Sequence, residues 1–218
     1  MKTNVLLAAT AVAAITALSG AAVAQTAATA TTDLNIRSGP GPEHEVIGAV
    51  DANGEVTITG CLEGSKWCTI TYEGTEGWAY SDYLTGDLSG SRVVVTESRA
   101  ELGVPVATYE APSDGTVVGA AGGAVAGALI AGPIGAVVGG AIGAAAGTTV
   151  DPSPEVRTYV TSNPGTPVYL EGEVVVGAAV PDTVELRTVP DYEYSYAYVN
   201  GQPVLIEPSS RQIVYVVR

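Results

Sequence analysis

Phenylalanine is absent from the 218-residue chain, and histidine and methionine occur once each. There are two cysteines, and only 9 lysines and arginines against 23 acidic residues, for a formal net charge of −14. Each shortage excludes something. Nucleic acid is disfavoured as a partner, because neutralising phosphates takes clustered Lys and Arg. A single His44 cannot furnish both a metal site and a triad, and two cysteines seven apart leave a zinc ion short of ligands. An Asp/Glu pair could in principle serve glycoside hydrolysis, but the acidic residues are scattered through flexible, solvated positions. The composition therefore points away from an enzyme and implies no cofactor and no metal. Charged residues make up only 15%, too few for a charge-rich disordered chain.

What is present divides the chain into six stretches. Met1 to Asn4 form a short positive region, Val5 to Leu18 are almost wholly apolar, and Ala22-Val23-Ala24 precede Gln25 as a small-residue cleavage site. This is the pattern of a secretory signal peptide over 1–24, so the expected location is the periplasm or cell envelope. Residues 25–32 read as a disordered Ala/Thr linker. Residues 33–86 alternate apolar runs with turn residues, as a small all-β barrel does. Residues 87–114 read as a connector with strands at Arg92 to Thr96 and Val104 to Tyr109. Residues 115–150 are glycine-rich, with Asp114 and Asp151 the charges that bracket them. Residues 151–218 return to β patterning.

The barrel stretch opens with Leu34-Asn35-Ile36-Arg37-Ser38-Gly39-Pro40-Gly41 and closes with Gly77-Trp78-Ala79-Tyr80 and Ser81-Asp82-Tyr83-Leu84. Leu34 and Ile36 share one strand face and can enter a core. Asn53-Gly54 marks a tight turn. These opening and closing motifs resemble those of bacterial SH3 (SH3b) domains. The resemblance implies a non-catalytic module linked to cell-wall or peptide recognition. Arg37, Trp67, Tyr80 and Tyr83 are then the candidate ligand-binding residues, with Trp78 better placed in the core. Cys61 and Cys68 flank a hairpin tip at 62–66, and in an exported protein an even cysteine count reads as a disulfide. The stretch 31–86 carries nine acidic and two basic residues, which argues against simple electrostatic adhesion to anionic wall polymers.

In the glycine-rich stretch, Gly119, Gly123 and Gly127 recur every fourth residue, as do Gly135, Gly139, Gly143 and Gly147. That spacing aligns glycines on one helix face and allows close backbone approach. With Pro133 at a first helical position, the expected structure is a hairpin of helices over 116–131 and 133–148. It resembles the glycine-zipper segments of bacterial envelope proteins. Helices of this length span about 24 Å, short of a hydrocarbon core of about 30 Å. Self-association, membrane contact and packing against the chain's own strands all remain open.

Near the C-terminus, Val189-Pro190-Asp191, Tyr196-Ala197-Tyr198-Val199-Asn200-Gly201, Val204-Leu205-Ile206, Pro208 and Arg211-Gln212-Ile213-Val214 resemble DUF1236, a family of unknown function in exported proteins. Tyr192, Tyr194, Tyr196 and Tyr198 alternate and would share one strand face, either as core or as a ligand platform. Asn200-Gly201 signals a two-residue hairpin. The expected fold is mainly β: a small SH3-like barrel, a glycine-zipper helical hairpin and a small C-terminal antiparallel β unit. The leading functional expectation is an exported, non-enzymatic binding or scaffolding protein of the cell envelope, with peptidoglycan or a peptide as ligand. The alternative is a self-assembling or membrane-inserting structural protein that acts through residues 115–150.

Overall fold

The computed structural model describes residues 25–110 and 150–218, and the backbone of residues 128–133. The expected signal peptide and the zipper glycines Gly119, Gly123, Gly127, Gly135, Gly139, Gly143 and Gly147 lie outside the described residues. Among the described residues, no helix is long and apolar enough to cross a membrane.

The first sheet contains β1 (Thr26–Ala30), β2 (Leu34–Arg37), β3 (Val46–Val50), β4 (Glu55–Leu62), β5 (Trp67–Tyr72), β6 (Thr75–Tyr80), β7 (Leu84–Leu88), β8 (Ser91–Val94) and the two-residue β9 (Val106–Ala107). Its order is β3-β2-β6-β5-β4-β1-β7-β8, with β9 added on β4. The turns follow the residues that tolerate a left-handed backbone: Asn53 (φ 67°) ahead of β4, and Glu73 and Gly74 (φ 47° and 85°) between β5 and β6. Gly77 serves a different need. A Cβ there would stand 2.7 Å from the Arg37 carbonyl, so the Gly-Trp motif lets β6 pass close to β2. Cys61 and Cys68 are direct cross-strand partners on β4 and β5 and form the expected disulfide.

The stretch 25–32 is not a disordered linker. β1 lies inside the sheet, antiparallel to β4 on one side and to β7 on the other. Ala28 and Ala30 point inward and are buried. Ala30 also donates to the Gly54 carbonyl at 2.9 Å and accepts from Asn53 N at 2.8 Å. Two flanking ladders supply what the weakly hydrophobic side chains do not.

The second sheet contains β10 (Ala128–Pro133), β11 (Val168–Glu171), β12 (Arg187–Thr188), β13 (Ser195–Val199), β14 (Gln202–Ile206) and β15 (Ile213–Val216). Its order is β10-β11-β13-β14-β15, with β12 on β13. β10–β11 and β11–β13 are parallel, so the C-terminal unit is mixed rather than purely antiparallel. β10 also corrects the expected helix over 116–131 at its end: Ala128 and Leu129 pair with Val168 and Tyr169. A short apolar run suits either state, and the open edge of β11 decides for strand. The Asn200-Gly201 hairpin between β13 and β14 is as expected, with φ of 52° and 75°.

One helix, α1 (Pro154–Ser162), stands where only strands were expected. Its start is nonetheless written in the sequence: Ser153 caps the Val156 amide, and Pro154 occupies the first turn, where its missing N–H costs nothing. The tyrosine stripe packs beneath it. Tyr196 Oη donates to the Asn163 carbonyl at 2.8 Å and Tyr198 Oη to the Val160 carbonyl at 2.9 Å. These bonds satisfy carbonyls at the helix C-terminus that have no partner within the helix. Tyr196 is core, whereas Tyr198, and Tyr192 and Tyr194 ahead of β13, are half-buried against the same cluster.

The two sheets are not independent. One apolar cluster runs through Leu34, Ile36, Ile58 and Leu84 of the first and Leu170, Val175, Val199 and Ile206 of the second region.

Candidate functional site

Arg37 was expected to present a cation to a ligand. The structure puts it in the interior, 1% exposed. The reason lies on β2, where all four residues are buried because its second face meets the C-terminal region. There the Glu173 carboxylate, itself 0% exposed, receives a two-pronged grip from the guanidinium. Nη2 reaches Oε1 at 2.6 Å, and Nε binds Oε2. The remaining donors go to the carbonyls of Pro42 (2.9 Å), His44 (2.7 Å) and Asn200 (3.2 Å). Asn35 Nδ2 and the Val174 amide complete the Glu173 shell at 3.2 and 2.9 Å. All five N–H groups of Arg37 are engaged, so it ties the two regions together and offers no charge to a ligand.

The aromatic candidates do converge. Trp67 and Tyr80 are cross-strand partners on β5 and β6 with ring centroids 5.4 Å apart, edge to face. Tyr83 follows in a 3-10 turn, Ser81–Tyr83, and its ring lies 6.1 Å from that of Tyr80. Trp67, Trp78 and Tyr80 form one cluster and are only 6–7% exposed, with Tyr83 half-buried at its margin. Lys66 borders the cluster, 5.7 Å above the Tyr80 ring and 2.8 Å from Asp82 Oδ2. Burial raises the phenol pKa of Tyr80 and Tyr83 above the usual value, so both hydroxyls stay protonated near neutrality.

Two contributors escaped the sequence reading. Tyr109 from the connector packs edge-on against Trp78, with centroids 5.6 Å apart, and against His44 at 5.9 Å. Ala107 joins the same cluster. The strand expected over Val104 to Tyr109 is realised only as β9, but the burial of 105–110 alternates along its length. That alternation is legible in the sequence; the surface it faces is not. The His44 side chain is 8% exposed, and its Nε2 has no hydrogen-bond partner among the described residues. Burial lowers its pKa, Glu43 opposes that shift, and Arg37 adds to it. Among the described residues, no three His, Cys, Asp or Glu side chains gather as a metal site would require.

Comparison with known proteins assigns residues 32–85 to the bacterial SH3 domain and residues 159–218 to the domain of unknown function DUF1236. A curated relative, "Putative N-acetylmuramoyl-L-alanine amidase YrvJ" of Bacillus subtilis, is 37% identical over 59 residues. That match covers 27% of this chain and 11% of the relative, so most of the relative has no counterpart in it. Among solved structures, NlpC2 of Trichomonas vaginalis is 28% identical over 30% of this chain and 24% of its own, with a TM-score of 0.28. NlpC1 of the same organism is 28% identical over 28% and 22%, with a TM-score of 0.26.

Proposed function

We propose that this chain, which carries a bacterial SH3 domain and a DUF1236 region, is an exported, non-enzymatic envelope protein whose barrel engages cell-wall material. The observation that carries this reading is the aromatic cluster of Trp67, Tyr80 and Tyr83, bordered by Lys66 and Asp82, on one side of that barrel. Trp67 and Tyr80 are themselves buried, so what a ligand can reach is half-buried Tyr83 with Lys66 and Asp82 beside it, an apolar edge with a polar rim. The stretch shared with the amidase falls in the SH3 part, so what supports the reading is recognition of wall material, and hydrolysis is not carried across. The DUF1236 region acts in this reading as a fixed brace, joined through Arg37 and Glu173.

The test is co-sedimentation of the full chain with purified insoluble peptidoglycan. The unaltered protein is expected in the pellet, and Tyr83→Ala, with its melting curve checked, is expected largely in the supernatant. Failure of the unaltered protein to pellet at any protein concentration would sink the reading.

A further inference from the structure

β4 continues past the end of β1. Its first half is covered on one side by β1, through Glu55 to Ile58. On that side the following residues, Cys61 and Leu62, would present an open edge, and β9 fills it in parallel register. Cys61 N donates to the Pro105 carbonyl at 2.9 Å. The segment is held firmly just upstream, where Val104 N binds the Arg99 carbonyl at 2.9 Å and Val104 packs on the main core. Beyond Pro105 the pairing extends over only two residues, and Val106 on the outer face is 70% exposed.

The inward side chains fit a surface already shaped for them. At Gly60 a Cβ would stand 3.0 Å from the Ala107 Cβ and 3.2 Å from its amide, so the bare glycine makes room for a small residue held close. Two positions further on, Tyr109 enters the slot between Trp78 and His44. Backbone pairing to an exposed edge, with alternate side chains in pockets, is how a sheet recognises an extended peptide.

We propose that this groove is a strand-recognition site for an extended polypeptide with a small residue followed, two positions on, by an aromatic one, and that residues 105–109 occupy it as a displaceable internal stand-in. The proposal rests on the barrel's aromatic face being a recognition surface, but its ligand is a polypeptide strand rather than cell-wall material. A tethered strand competes at an effective concentration of about millimolar, so an external peptide enters readily only once the internal one is weakened.

The probe is a dye-labelled peptide, Val-Pro-Val-Ala-Thr-Tyr-Glu, copied from residues 104–110 and titrated into the full chain. Tyr109→Ala removes two edge-to-face contacts and their buried area, and is expected to tighten peptide binding about tenfold or more. Ala107→Leu, which collides with the backbone at Gly60, is expected to act alike and serves if Tyr109→Ala does not fold. Replacing Tyr by Ser in the peptide should abolish binding to both variants. Exchange of the Cys61 amide should be slow in the unaltered chain, faster in the variants, and slow again once peptide is added. Equal binding by all three folded proteins, no binding by either variant, or indifference to the peptide's tyrosine would each overturn the proposal. The same preparations sedimented with peptidoglycan separate the two readings. Wall binding without peptide binding ends this inference alone, and peptide binding without wall binding ends only the wall reading.

Discussion

A guanidinium removed from water must recover all five of its donors within the protein, and Arg37 does so with Glu173 and three carbonyls. Breaking such a pair leaves the surviving charge stranded. Glu173→Gln is therefore expected to lower stability by about 3–5 kcal/mol, while the double change Arg37→Met with Glu173→Leu costs far less. Chemical denaturation of the three proteins checks this, and an equal loss in the single and double variants would refute it. His44 supplies a second test. Its burial favours the neutral ring, so the folded state binds the proton less readily than the unfolded one. The contribution of His44 is fully present above pH about 6.5 and is lost as pH falls below that value. It is the only histidine in the chain, so the window between pH 7 and 5 is largely its own. Denaturation midpoints should fall across that window in the unaltered protein and stay flatter in His44→Phe, which keeps an aromatic ring against Tyr109.

Among the elements, those with a periodic pattern and a recognisable turn were legible: β2, β4 to β6, and the β13–β14 hairpin. Those whose reason lies elsewhere in the chain were not. β1 has only Thr and Ala, and its stability comes from two neighbours far along the sequence. Deleting residues 25–32 should unfold the first sheet, seen as loss of near-ultraviolet circular dichroism, whereas removal of a linker would change nothing. The candidate site divides in the same way. The convergence of Trp67, Tyr80 and Tyr83 is legible from paired strands and the closing motif, but the burial of Trp67 and Tyr80 is not, because it depends on the connector that packs over them. Arg37 was misread because alternation sends it away from the barrel core, and nothing local reveals that a second region covers that face. The Cys61–Cys68 bridge was legible from the hairpin spacing taken with an even cysteine count and expected export. Its reduction is expected to cost about 2.5 kcal/mol by the chain-entropy treatment, measurable as a lower denaturation midpoint with reductant that Cys61→Ser with Cys68→Ser reproduces.

At the scale of the whole molecule, the shared core and the buried ion pair join regions that sequence comparison treats as separate. A single calorimetric transition is expected, and two resolved transitions, one for each region, would show that the junction contributes little. The seat of β1 bears also on the order of events. Thr26 pairs with Ile58, and Ala30 with Leu84, so β1 must wait for partners that lie well downstream of it. Closing those separations comes before any ladder can reward it. In the interval, β4 and β7 each lack a neighbour, and unpaired strands of this kind are what other chains adhere to. Folding thus passes through a state open to aggregation that ends when β1 is seated between β4 and β7.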